Sequence, residues 1–242
     1  MTYNRIWIAE WMKLRWSIIL SLIWIGPLLG AINSIASRSL ALNLGNEWLV
    51  LWMAGSFQYA YLSIPIMTGV FVALICRSEH LNGGWKQLLS YPVYRYQVYL
   101  VKYFIAVSLV CMMQILFFIM IILMGLYVGI SDPIPWTQFL KKVGLACLAT
   151  LPLAALQMWV SYQWKNFAAP LALNIVFTIP VVLVSSSEKI GAWYPWSQPY
   201  LSMVLYDMHK NQVPYSFYTI IGCGFVLLLM IGMVHFQRRD WV

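Results

Sequence analysis

Six long stretches of this chain contain no Asp, Glu, Lys or Arg. They lie between Arg15 and Arg38, Glu47 and Arg77, Lys102 and Asp132, Lys142 and Lys165, Lys165 and Glu188, and Lys210 and Arg238. A helix needs about 20 residues to cross the hydrocarbon core of a bilayer, and each of the six is longer than that. Lipid offers no partner to an unpaired peptide group, so only helices and closed barrels span it. None of the six runs alternates with the period of two that a barrel strand requires. The expected fold is therefore an all-α integral membrane protein: six transmembrane helices forming one domain over residues 1–242. Composition excludes the soluble alternative. Charged residues are 9% and hydrophobic residues 62% of the chain, with a mean hydropathy of +0.75, whereas a soluble domain carries roughly 25% charged residues.

The net charge of +8 reads as topology. The cations punctuate apolar runs instead of clustering on a polar face, so no nucleic-acid partner is expected. With six spans, ten of the fifteen Lys and Arg residues fall on the side that holds both ends of the chain and the second and fourth connections. By the retention of cations on the inner side, that side is cytoplasmic and both termini lie there. Lys141 and Lys142 fall on the other side, where they would snorkel to the interface. Residues 1–15 form an expected interfacial helix: Tyr3, Trp7, Trp11 and Leu14 share one face, with Arg5 and Lys13 opposite. Trp7, Trp11, Lys13, Arg15 and, further on, Lys102 are the expected inner-interface anchors. The four cysteines, Cys76, Cys111, Cys147 and Cys223, all sit in apolar runs and read as small buried hydrophobes, not as a disulfide set or a zinc site. Gly26 with Gly30, and Gly125 with Gly129, have the spacing of close-packed membrane helices, a spacing that also arises by chance.

The mid-span polar residues are Asn33, Gln58, Gln114, Gln157 and Asn174, none of them ionisable. An ion-driven carrier needs intramembrane charge, and an intramembrane hydrolase needs a nucleophile with its base, or metal ligands, in one site. The chain has neither a His-Glu-x-x-His zinc pattern nor a phosphate loop ending in Gly-Lys-Ser/Thr. We therefore expect no catalytic residues, no metal, no cofactor bound by this chain, and no enzymatic activity of its own.

Two connections carry more information. Residues 77–102 form the longest and most charged connection on the cytoplasmic side. Gly83 and Gly84 allow a sharp bend, Trp85, Leu88 and Leu89 give a short apolar face, and Pro92 ends it. Such a face suits a knob for the groove of a cytoplasmic partner; an interfacial loop without a partner fits equally. Residues 188–210 lie before the last span. The uncharged run 190–206 is short for a span and holds Pro195 and Pro199 among Trp193, Trp196 and Tyr200. It is expected to be an extracellular or re-entrant element with its aromatic rings at headgroup depth, an ordinary aromatic loop being the other reading.

Glu79, Gly84, Leu88, Leu89, Pro92, Arg95 and Lys102 resemble, at similar spacing, the coupling-helix signature of type-2 ABC-exporter permeases. Glu10-x-x-Lys13-Leu14-Arg15 is similar to the amphipathic helix before the first span of that family. Trp85 departs from the pattern, which has Thr there. The resemblance implies that Glu79, Gly84, Trp85, Lys86, Leu88, Leu89, Pro92 and Arg95 form the contact with a separate cytoplasmic ATP-binding subunit. That subunit would hold ATP and Mg, and a second permease, identical or homologous, would complete the assembly in the cell membrane. In an exporter, Pro195, Trp196, Pro199 and Tyr200 would form an outer gate. The size of the chain and its small external portion resemble the lantibiotic-immunity and bacitracin-resistance branch, which implies amphiphilic antimicrobial cargo. The rival from another class is a membrane scaffold or sensor that binds a partner and moves no cargo.

Overall fold

The computed structural model describes residues 3–36, 47–80, 84–85, 94–187, 189–205 and 213–239, and every regular element among them is helical. Helix α1 (Tyr3–Lys13) precedes α2 (Trp16–Ala36). Helix α3 (Glu47–His80) contains a π-turn at Tyr59–Ser63. Helix α4 (Arg95–Val128) is followed by α5 (Trp136–Gln163), α6 (Ala168–Thr178), the short α7 (Val181–Ser185) and, near the carboxyl end, α8 (Tyr215–Arg238). Five of these, α2, α3, α4, α5 and α8, are long and apolar enough to cross a membrane. The long α4 packs against α1, α2, α3, α5 and α8, and α3 packs against α2, α4, α5 and α6.

The run between Lys165 and Glu188 departs from the continuous helix that its length predicts. It folds as α6 and α7, broken at Ile179–Pro180. Proline has no N–H to donate and its ring crowds the carbonyl four residues back, so the ladder stops there. The segment before α8 is also irregular: a 3-10 turn at Gly191–Trp193, a single turn at Gln198–Tyr200, and a π-turn at Leu201–Leu205.

Lipid supplies no hydrophobic force between helices, so association depends on close packing and on polar contacts. Both are present. Gly30 on α2 faces Gly55 on α3; a Cβ on either would stand 3.0 Å from the carbonyl oxygen of the other. Gly125 on α4 accommodates the Trp48 indole, with which any Cβ would collide. Gly129, the second member of that spaced pair, does something else. It adopts φ +81° and ends α4, its N–H bonding to Leu126 while Ile130 N–H reaches back to the Gly125 carbonyl. Between α3, α4 and α5, Trp52 stacks on Phe139 (4.6 Å between centroids) and Tyr59 on Phe117 (4.0 Å). Lys142 is buried beside this cluster, its ammonium 5.3 Å from the Trp52 ring. It does not snorkel outward as predicted: the aromatic faces provide a cation site inside the bundle. Its neighbour Lys141 is exposed.

The mid-span polar residues bond to one another. Asn33 donates to Gln58, and Cys147 bonds to Gln114 at 3.2 Å. Cys76 is buried against Met158, whereas Cys223 is exposed on α8, so burial does not extend to all four thiols.

Candidate functional site: a charged latch and a buried turn

One end of the bundle gathers α1, the last turns of α3, α5 and α8 and the first turns of α4 and α6, and with them most of the cations among the described residues. At its centre lies a group of four charges. The Glu10 side chain bonds to Lys13 (2.7 Å) and to Lys102, and Glu79 bonds to Lys13 (3.0 Å) and Lys102 (3.1 Å). Glu10, Glu79 and Lys102 are buried; Lys13 is about two-fifths exposed. Two carboxylates and two ammonium groups balance, which meets the condition for keeping charge out of water. The group ties α1, the last turn of α3 and the third turn of α4 together. Burial alone would pull the Lys13 pKa down, but Glu10 and Glu79 outweigh it and hold the pKa above its usual 10.5. The stabilisation from Lys13 is thus fully present below pH 10.5 and is lost only as pH rises through the elevated value.

Gly84 and Trp85 close over this group. A Cβ on Gly84 would stand 2.9 Å from the Glu79 Cα and 3.1 Å from both its carbonyl oxygen and Oε2. Only glycine lets the chain pass so close to the carboxylate. The Trp85 ring lies 5.6 Å from the Lys102 ammonium and meets His80 and Phe236 edge-on. At 5% exposure, Trp85 faces inward. This corrects the expectation that its ring is the outward face of a docking knob: a large ring beside a buried cation gains more from covering it than from projecting into water. Lys86, Leu88, Leu89 and Pro92 lie outside the described residues.

Other anchors are redistributed. Lys102, expected at the headgroups, is 1% exposed in the latch. On α1, the buried stripe is Ile6 and Glu10, while Trp7 and Trp11 are half-buried and stack on each other at 5.9 Å. Trp16 packs against Trp11 and donates to its carbonyl, and Arg15 is exposed. Arg95 donates to the carbonyls of Gln237 (2.8 Å) and Arg239 (3.2 Å), at the end of α8. Arg239 in turn donates to the Tyr162 and Gln163 carbonyls at the end of α5, and the His80 Nε2 bonds to the Ser161 carbonyl. The last carbonyls of a helix have no partner within it and carry its negative dipole end; here Arg95, Arg239 and the His80 imidazole reach across to satisfy them. Sequence reasoning predicted none of these ion pairs, and Glu10 is the latch member that its candidate site left out. Its signal is a carboxylate one helical turn beyond Ile6, on the stripe that α1 buries.

The second polar centre lies deeper. Asn174 on α6 accepts from Gln157 Nε2 and from Trp196 Nε1, both at 2.7 Å, and donates to the Pro65 carbonyl at 2.8 Å. Four segments thus meet at one amide. Gly69 makes room, since a Cβ there would collide with the Asn174 Nδ2. Pro65 follows the π-turn of α3, where the ladder is already interrupted. From Trp196 the chain continues past Tyr200, packed edge-on against Phe57, to Met203, whose carbonyl accepts from the Trp52 indole at 3.3 Å. Trp196, Pro199 and Tyr200 are buried and Pro195 half-buried, while Trp193 is 66% exposed. Trp196 and Tyr200 are therefore packed inside the helical bundle, not laid out as a belt of surface aromatics. The interior amide of Asn174 offers the indole N–H a partner that a lipid-facing position lacks.

A family model described as ABC-2 family transporter protein matches residues 6–181, well over half of the chain. No curated protein matches the chain. The matched region contains the whole latch, Glu10, Lys13, Glu79, Gly84, Trp85 and Lys102, and the Asn174 amide, and it ends before Trp196.

Proposed function

Because the chain belongs to the ABC-2 family of transporter proteins, and is thus a multi-pass membrane permease subunit that works with an ATP-binding ABC subunit, we propose that it serves an ATP-driven exporter of amphiphilic antimicrobial peptides or drugs. The cargo class rests on the resemblance to lantibiotic-immunity and bacitracin-resistance permeases. In this reading the protein sits in the cell membrane with both ends cytoplasmic, pairs with a second permease, and leaves ATP and Mg to its partner subunit.

The observation that carries the proposal is the charged latch. A partner that closes on ATP pushes against the segment that begins at Glu79. The latch ties that segment, α1 and α4 to one another through three ion pairs between elements, so the push is delivered to three elements together. The spans then exchange between two packed arrangements, as interfaces of this kind do. Residues 195–200, packed between α3 and α6 and tied to Asn174, are the portion proposed to open for cargo at the other end.

The test is co-expression with the ATP-binding subunit, followed by survival against a panel of cationic peptides and hydrophobic drugs. The exporter reading expects resistance that vanishes when the partner's ATPase is inactivated. A complex that forms but protects against nothing, and accumulates every panel member as control cells do, would leave the scaffold reading in its place.

A further inference from the structure

Beside the latch, the last turn of α3, the end of α5 and the start of α6 form a shallow cleft that opens to the surface. Its polar lining includes Arg77, Lys165, His80 and Asn166, and Trp164 and Phe167 form an aromatic wall. Among the described residues no Asp or Glu lines it. The two carboxylates buried at this end, Glu10 and Glu79, bond to Lys13 and Lys102, and no ion pair of Arg77 or Lys165 is formed among the described residues. The Arg77 guanidinium lies 5.3 Å over the Phe167 ring. That contact holds the guanidinium at the rim without neutralising it. Asn166 Oδ1 accepts from the Ala168 N–H and so fixes the start of α6, whose positive dipole end has the same sign as the two cations.

The cleft is also placed for a lipid. It opens where two membrane-length apolar helices, α3 and α5, come to their ends. Trp164, 41% exposed, stands there as an amphipathic ring suited to the boundary between headgroups and acyl chains. Basic pockets between transmembrane helices at this depth recognise anionic headgroups. We propose that this cleft binds the phosphate headgroup of an anionic membrane phospholipid, with Arg77 and Lys165 as its cations. The inference rests on the membrane reading of the spans and is independent of transport. Arg77 presents a planar fork to two phosphate oxygens, Lys165 adds a point charge, and the acyl chains run along the apolar surface beside Trp164. A lipid held there joins α3, α5 and α6 next to the latch.

The full-length protein, purified in detergent and stripped of lipid, is titrated with phosphatidylglycerol or phosphatidylcholine and read by native mass spectrometry. One phosphatidylglycerol should be retained per chain, with phosphatidylcholine markedly weaker. The Arg77→Gln/Lys165→Gln double variant should bind phosphatidylglycerol about 30-fold more weakly, with the helical circular-dichroism spectrum unchanged. A variant that loses the spectrum is replaced by the single Lys165→Gln, at an exposed position, with about fivefold expected. Equal retention of the two lipids, or unaltered binding by the variants, overturns the proposal. So does displacement of the lipid by equimolar inorganic phosphate, which would make this a free-anion site. So too does loss of the ATP-binding subunit from the double variant with lipid retained, which would make the cleft a protein contact. None of the lipid readouts uses ATPase or export, so their failure does not touch the transporter reading.

Discussion

Lys102 is the residue on which the latch depends most. It is 1% exposed and shared between two buried carboxylates. Removing one member of a buried ionic group leaves the others uncompensated, at a cost of about 3–5 kcal/mol. Lys102→Met should therefore lower the thermal unfolding midpoint of the full-length protein sharply. The triple change Glu10→Gln, Glu79→Gln, Lys102→Met should lower it less, because no uncompensated charge remains buried. If the triple variant is the less stable of the two, packing and not charge balance explains the loss. Sequence reasoning found three of the four latch residues, Glu79, Lys13 and Lys102, but treated both lysines as surface anchors. A lysine near the end of an apolar run ordinarily reaches the headgroups; only the tertiary fold brings two carboxylates from other helices within its reach. Trp85 shows the same gap. A pattern of Trp and Leu marks an apolar face, yet whether that face looks outward or back onto the protein depends on Lys102, a cation carried by the next helix.

Among the elements, Asn174 is the joint through which α3, α5, α6 and the segment before α8 share hydrogen bonds. Asn174→Leu would leave Trp196 Nε1 and Gln157 Nε2 without that acceptor inside the bundle. Interhelical bonds of this kind contribute about 0.6–2 kcal/mol each. The expected outcome is a clear loss of thermal stability together with faster proteolysis near residues 190–200. Asn174→Asp, which keeps the acceptor oxygen, should restore part of it. The apolar runs predicted six spans by length alone; among the described residues, five helices are long and apolar enough to cross a membrane. What length could not reveal is the consequence of Pro180, which divides the fifth run where an unbroken helix was expected. The polar character of Asn174 was legible; that its partner would be Trp196, on a separate segment, was not, because tryptophan in a membrane protein is read first as an interface residue.

For the molecule as a whole, depth around the 190–206 run is open to measurement. In a background without the four native cysteines, Trp193→Cys should react readily with a membrane-impermeant thiol reagent, since Trp193 is 66% exposed, while Ser197→Cys and Tyr200→Cys should be protected, at 0% and 3%. Free labelling at all three positions would mean that the segment is an open loop and that the gate has no basis. The other end of the molecule has a consequence for biosynthesis. Arg95, at the start of α4, satisfies the carbonyls that finish α8, and Arg239, just past α8, satisfies those that finish α5. Synthesis proceeds from the amino end, so α5 emerges before α8, and its Tyr162 and Gln163 carbonyls wait for Arg239 until α8 has been made. This end of the bundle is thus completed only after α8 is made, and a chain that stalls before α8 lacks the Arg239 contacts on α5 and leaves Arg95 without its carbonyl partners.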